Sequence, residues 1–119
     1  MSDLFELNQS TPFKIKQGAT WNQIFEWIQR SNNLPVDLTG CTAAIKLENT
    51  RTKEIETSFS SDDSPAMITI EELTGKVILN INTQSIPVGF YNTDIKLTFP
   101  SGSVKYSQTI AIQIEKSIS

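Results

Sequence analysis

Histidine is absent from this chain, and that absence bounds its chemistry more tightly than any residue present. The usual general base beside a serine or cysteine nucleophile is missing, and so is the commonest zinc ligand. The single cysteine, Cys41, can form neither an internal disulfide nor a thiolate metal site. It follows Gly40 at the entry to an apolar stretch, with no basic neighbour to lower its pKa, and reads as an inert, buried thiol. The five glycines stand singly at turn signals, so no phosphate-cradling loop is present. Asp62 and Asp63 lie in a serine-rich stretch whose oxygens suit calcium, but the spacing and closing glutamate of a calcium loop are missing. Glu71 with Glu72, or Asp94 with Glu115, have the residue types for acid–base work, although carboxylates on exposed turns and strands are far commoner than catalytic pairs. No catalytic, metal or cofactor site is expected, and the chain is not expected to be an enzyme.

Trp21 and Trp27 carry more information. A solvent-facing tryptophan stacks on sugar rings or anchors a protein interface, whereas a buried one packs a core. Both readings fit the sequence, and they separate two functions: a carbohydrate- or ligand-binding module on one side, an assembly protein on the other.

These residues need a scaffold. At 119 residues, with 38% hydrophobic and 19% charged side chains, the composition is that of one globular domain. The net charge of −3 comes without any cluster of Lys or Arg, which disfavours nucleic acid as a partner. No apolar run approaches the ~18 residues of a membrane span. The first residues lack the basic and apolar regions of a secretory signal, and the lone thiol fits folding in a reducing cytoplasm.

Alternation of apolar and polar residues predicts the elements. The clearest case is a long hairpin from Gly89 to Ile114, reversing at Pro100-Ser101-Gly102-Ser103. Tyr91, Ile95, Leu97 and Phe99 share one face of its first arm; Val104, Tyr106, Ile110, Ile112 and Ile114 share one face of the second. Tyr91, just after Gly89, sits where a buried tyrosine locks the corner of some immunoglobulin-like sandwiches through its hydroxyl. Further strands are expected at Phe13–Lys16, Thr42–Glu48, Glu54–Phe59, Met67–Ile70 and Lys76–Ile81. The segment Thr20–Gln29 also matches helical spacing at Trp21, Ile24, Phe25 and Ile28. Its aromatic and β-branched content, with Gly18 before it and Asn32-Asn33-Leu34-Pro35 after, favours a strand. The fold class expected is all-β: an antiparallel immunoglobulin-like β-sandwich of about seven to eight strands, spanning 13–119. Residues 1–12 read as an extended N-terminal arm. Leu4, Phe5 and Leu7 make it either a frayed end or a segment that docks on a neighbouring subunit.

Four segments carry a family resemblance. They are Ile15-Lys16-Gln17-Gly18-Ala19-Thr20-Trp21, Leu34-Pro35-Val36-Asp37-Leu38-Thr39-Gly40-Cys41-Thr42-Ala43, Gly75-Lys76-Val77-Ile78-Leu79, and Gly89-Phe90-Tyr91-Asn92-Thr93-Asp94-Ile95 leading to Pro100-Ser101-Gly102. Together they resemble small virion proteins of tailed phages and prophages, and the N-terminal immunoglobulin-like domain of phage baseplate upper proteins. Cys41 stands where that family usually has an aromatic residue. The resemblance implies a structural protein of the tail, baseplate, neck or capsid, located in the virion. Its implied partners are other virion structural proteins and copies of itself, with Leu4, Phe5, Leu7, Trp21 and Trp27 as candidate interface residues.

Overall fold

The computed structural model describes residues 5–7, 13–29, 31–63 and 66–118, and for 5–7 and 13 the backbone alone. Leu4 therefore lies outside the described residues. The described residues form eleven strands: β1 (Phe5–Leu7), β2 (Phe13–Lys16), β3 (Thr20–Gln29), β4 (Thr42–Asn49), β5 (Ile55–Ser60), β6 (Ile68–Glu71), β7 (Lys76–Asn82), β8 (Gly89–Thr93), β9 (Ile95–Thr98), β10 (Val104–Tyr106) and β11 (Ile110–Glu115). They form a four-stranded sheet in the order β1-β3-β7-β6 and a seven-stranded sheet in the order β10-β9-β4-β8-β11-β2, with β5 also on β4. The chain is an all-β sandwich. All eight strands expected from the sequence are found. The excess over that number comes from β1 and from the division of the terminal hairpin into four pieces. Its pairings are antiparallel except for β2, which lies parallel to β11.

Thr20–Gln29 is strand β3, not a helix, because it is paired on both edges, with β7 over most of its length and with β1 at its end. Its alternation then has a direct consequence. Trp21, Phe25 and Trp27 point between the sheets and are buried, while Ile24 on the opposite face is 48% exposed. Val77, Leu79 and Ile81 of the neighbouring strand β7 flank them on the same face, and Ile45, Leu47, Tyr91, Ile95, Leu97, Ile112 and Ile114 of the larger sheet lie across the core. In the stretch read as an arm, Phe5–Leu7 pairs with the end of β3, placing Phe5 opposite Gln29 and Leu7 opposite Trp27.

The terminal hairpin departs from the expected uninterrupted alternation. Tyr106 pairs with Lys96, and Ile110 pairs with Thr93. Three residues on the second arm thus face two on the first, which is a β-bulge. The extra residue reverses the parity, so Val104 and Tyr106, expected inward, lie on the outer face at 40% and 57% exposure. Ser107 secures the bulge. Its N–H donates to the Ile95 carbonyl (2.9 Å), and its Oγ accepts from the Ile95 N–H (2.8 Å).

Tyr91 does hold a corner. Its hydroxyl donates to the Pro87 carbonyl at 2.7 Å from an almost wholly buried ring. Replacement by phenylalanine keeps the ring and orphans that carbonyl, so Tyr91→Phe should lose about 1–1.5 kcal/mol in urea unfolding, with an unchanged m-value. Burial, and secondarily the charge of Glu56, raise the Tyr91 pKa. The folded state therefore holds the phenol proton more tightly than the unfolded one, and stability falls as pH rises above ~10. That alkaline loss should shrink in Tyr91→Phe.

Candidate functional site

The residues with chemical potential are mostly spent on holding loops. Asp63 accepts the Ser60 N–H at 2.9 Å, and the Asp62 N–H donates to Ser60 Oγ at 3.1 Å, so this loop closes on itself. Glu71 accepts the Thr74 hydroxyl (3.0 Å), whereas Glu72 accepts the Gly40 N–H (3.0 Å) from a different loop. Asp94 sits at the break between β8 and β9, while Glu115 ends β11 beside Lys16. Five residues along β11 put those two carboxylates roughly 17 Å apart, too far to share a proton or a water. Among the described residues no group of three His, Cys, Asp or Glu could hold a metal ion. Cys41 is half-buried, and its pKa is raised by desolvation and then by the charges of Asp37 and Glu72. It is held as a thiol, the opposite of what a nucleophile needs.

The segments carrying the resemblance turn out to be joints. In Pro35–Gly40, the Asp37 carboxylate accepts both the Thr39 hydroxyl (2.6 Å) and the Thr39 N–H (2.9 Å). Those bonds, the hydroxyl's first, lower its pKa. Val36 and Leu38 on either side are buried. At the Gln17-Gly18 turn, the Gly18 N–H donates to the hydroxyl of Thr83 (3.0 Å), which is itself fully buried, and Gln17 Nε2 donates to the Ile86 carbonyl (2.8 Å).

Trp21 and Trp27, candidates for an interface or a stacking platform, are 3% and 0% exposed. They are core residues, because odd positions of β3 face the other sheet. The surface available for recognition is instead the outer face of the seven-stranded sheet. Strand parity places Lys46 and Glu48 of β4, Ile55 of β5, Phe90 and Asn92 of β8, Ala111 and Gln113 of β11, and Lys14 of β2 on it. Phe90 is 60% exposed and Ile55 52%. Two depressions indent this face and meet at Asn92. One, of about 340 Å³, is lined by Lys46, Glu48, Ile55, Asn92, Asp94 and Thr109 among others. The other, of about 300 Å³, has Phe90, Ala111 and Ile112 with Lys14 and Gln113 at its margin. Sequence reading passed over Phe90 and Ile55. The available signal was an apolar side chain at an outward position: Phe90 directly precedes the inward Tyr91, and Ile55 lies between two glutamates.

No family model and no curated protein matches the sequence. Solved structures do match the fold. CopC from Methylosinus trichosporium OB3b is similar over 98% of this chain and 98% of that one, with a TM-score of 0.54 and 8% identity. The endo-beta-1,4-mannanase from Thermotoga petrophila gives a TM-score of 0.59 at 15% identity, covering 98% of this chain and 20% of that one. This chain therefore spans about a fifth of the mannanase's length. At such identities the likeness is one of fold, and it extends to the sandwich alone.

Proposed function

We propose that this chain is a non-enzymatic structural protein of a tailed-phage or prophage virion, joined to other virion proteins and to copies of itself through the outer face of its seven-stranded sheet. The carrying observation is the set of large apolar side chains left in solvent on that face: Phe90, Ile55, Tyr106 and Val104, 40–60% exposed. Side chains of this kind anchor protein interfaces. The lack of histidine and the separate engagements of Glu71 and Glu72 support a role without chemistry, and the four resembling segments supply the phage context. A sugar-binding module would need a stacking platform. Trp21 and Trp27 do not provide one, and Phe90 and Tyr106, near opposite ends of the β8–β9 line, lie roughly 20 Å apart along the sheet.

Two measurements test this reading. Mass spectrometry of particles induced from the bacterium carrying the gene should find the chain at the copy number of a structural component. Phe90→Asp should fold with wild-type stability to within about 0.5 kcal/mol, since the site is exposed, yet fail to enter particles. Particles free of the protein would overturn the proposal.

A further inference from the structure

Three irregularities of the seven-stranded sheet converge on one spot of its outer face. The strand formed by β8 and β9 breaks at Asp94, the bulge between β10 and β11 ends at Thr109, and the β4–β5 register shifts between Leu47 and Glu48. Each bends its strand away from a regular surface. Residues from all three line the 340 Å³ depression. Among the described residues, neither the Glu48 nor the Asp94 carboxylate has a salt bridge or side-chain hydrogen bond. With Lys46 as the single ammonium among its lining residues, the depression carries an excess of negative charge, and Ile55 gives it an apolar wall. Past Asn92 it continues into the apolar depression beside Phe90.

We propose that this depression receives a lysine or arginine side chain from an extended segment of a partner protein. The cationic head reaches Glu48 and Asp94, and the aliphatic stem lies along Ile55. An apolar side chain further along that segment fills the neighbouring depression against Phe90 and Ala111. Charge complementarity selects this occupant, because Lys46 offsets only one of the two lining carboxylates and an acidic segment would meet the remaining excess of negative charge. The inference rests on the reading of this face as a protein interface, and it specifies what the interface recognises.

The test uses the full chain labelled with ¹⁵N and two capped hexapeptides, one carrying an arginine two positions before a phenylalanine, the other a glutamate in place of that arginine. The arginine peptide should shift the amide signals of Lys46, Asn92 and Thr109, and the glutamate peptide should leave them in place. The Glu48→Gln/Asp94→Asn double variant, at two half-buried positions, should keep its dispersed spectrum and bind the arginine peptide about tenfold more weakly. Equal shifts from both peptides, no shift at millimolar concentration, or unaltered binding by the double variant would each overturn the inference. The particle-entry result for Phe90→Asp is read separately, so the interface can stand where this occupant fails.

Discussion

Gly75→Ala should destabilise the fold by about 3 kcal/mol, although the change adds a single methyl group. Gly75 lies between the short 3₁₀ turn Glu72–Thr74 and β7, in the left-handed region at φ +66°. A Cβ there would meet the Trp27 carbonyl oxygen at 2.6 Å and the Val36 carbonyl oxygen and nitrogen at 2.9 and 3.0 Å. None of these is a side-chain end that can swing away. Gly75 O also accepts the Trp27 N–H (2.8 Å), and Trp27 O accepts the Val36 N–H (2.9 Å), so moving any of the three strains the others. The left-handed conformation alone costs an L-residue about 1–2 kcal/mol, and forcing atoms into a packed region adds about 1–3. Gly102→Ala separates the two costs. Gly102 has φ +93° with nothing within 4 Å of the added atom, so it should show the backbone cost alone. Urea midpoints for both variants decide the matter, and equal losses would mean that the close approach at Gly75 contributes nothing.

Such crowding has no mark in the sequence beyond a glycine at a turn. What was legible there is what repeats with period two. Val77, Leu79 and Ile81 showed their strand because side chains on a pleated surface alternate, and the same rule put Trp21, Phe25 and Trp27 on one face of β3 without telling whether that face was core or interface. The bulge at Ser107–Thr109 was hidden for the same reason. Val104, Tyr106, Ile110, Ile112 and Ile114 are all even-numbered, and an inserted residue reverses the faces without disturbing that spacing. Pairing partners were equally invisible. The parallel register of β2 on β11 joins residues about a hundred positions apart, and nothing local to Phe13–Lys16 names its neighbour. The outer face was missed because reading for a core discounts apolar residues at outward positions, and those are the positions of Phe90 and Ile55.

Leu38→Ala should cost about 3 kcal/mol, within the 2–5 range for truncating a buried leucine, although Leu38 belongs to no strand. It is fully buried in the loop between β3 and β4. The loop cannot settle into the space left behind, because it is fastened on several sides. The Leu38 N–H donates to the Glu72 carbonyl (2.8 Å), the Leu38 carbonyl accepts the Cys41 N–H (2.9 Å), and Gly40 is bonded to the Glu72 carboxylate. With the backbone fixed, most of the cavity persists, and its cost adds to the lost transfer energy. Leu34→Ala is the matched control: the same residue type in the same loop, 57% exposed, should change stability by less than about 0.5 kcal/mol. The comparison bears on function as well as stability. Leu34–Ala43 is the longest of the segments on which the proposed virion role draws, and a large loss at Leu38 with none at Leu34 identifies its pattern as a device for closing the sandwich. Recognition must then be sought on the outer sheet face. Should Leu38→Ala instead keep full stability and lose only entry into particles, the loop itself would be the contact surface, and Phe90 and Ile55 would lose their claim to that role.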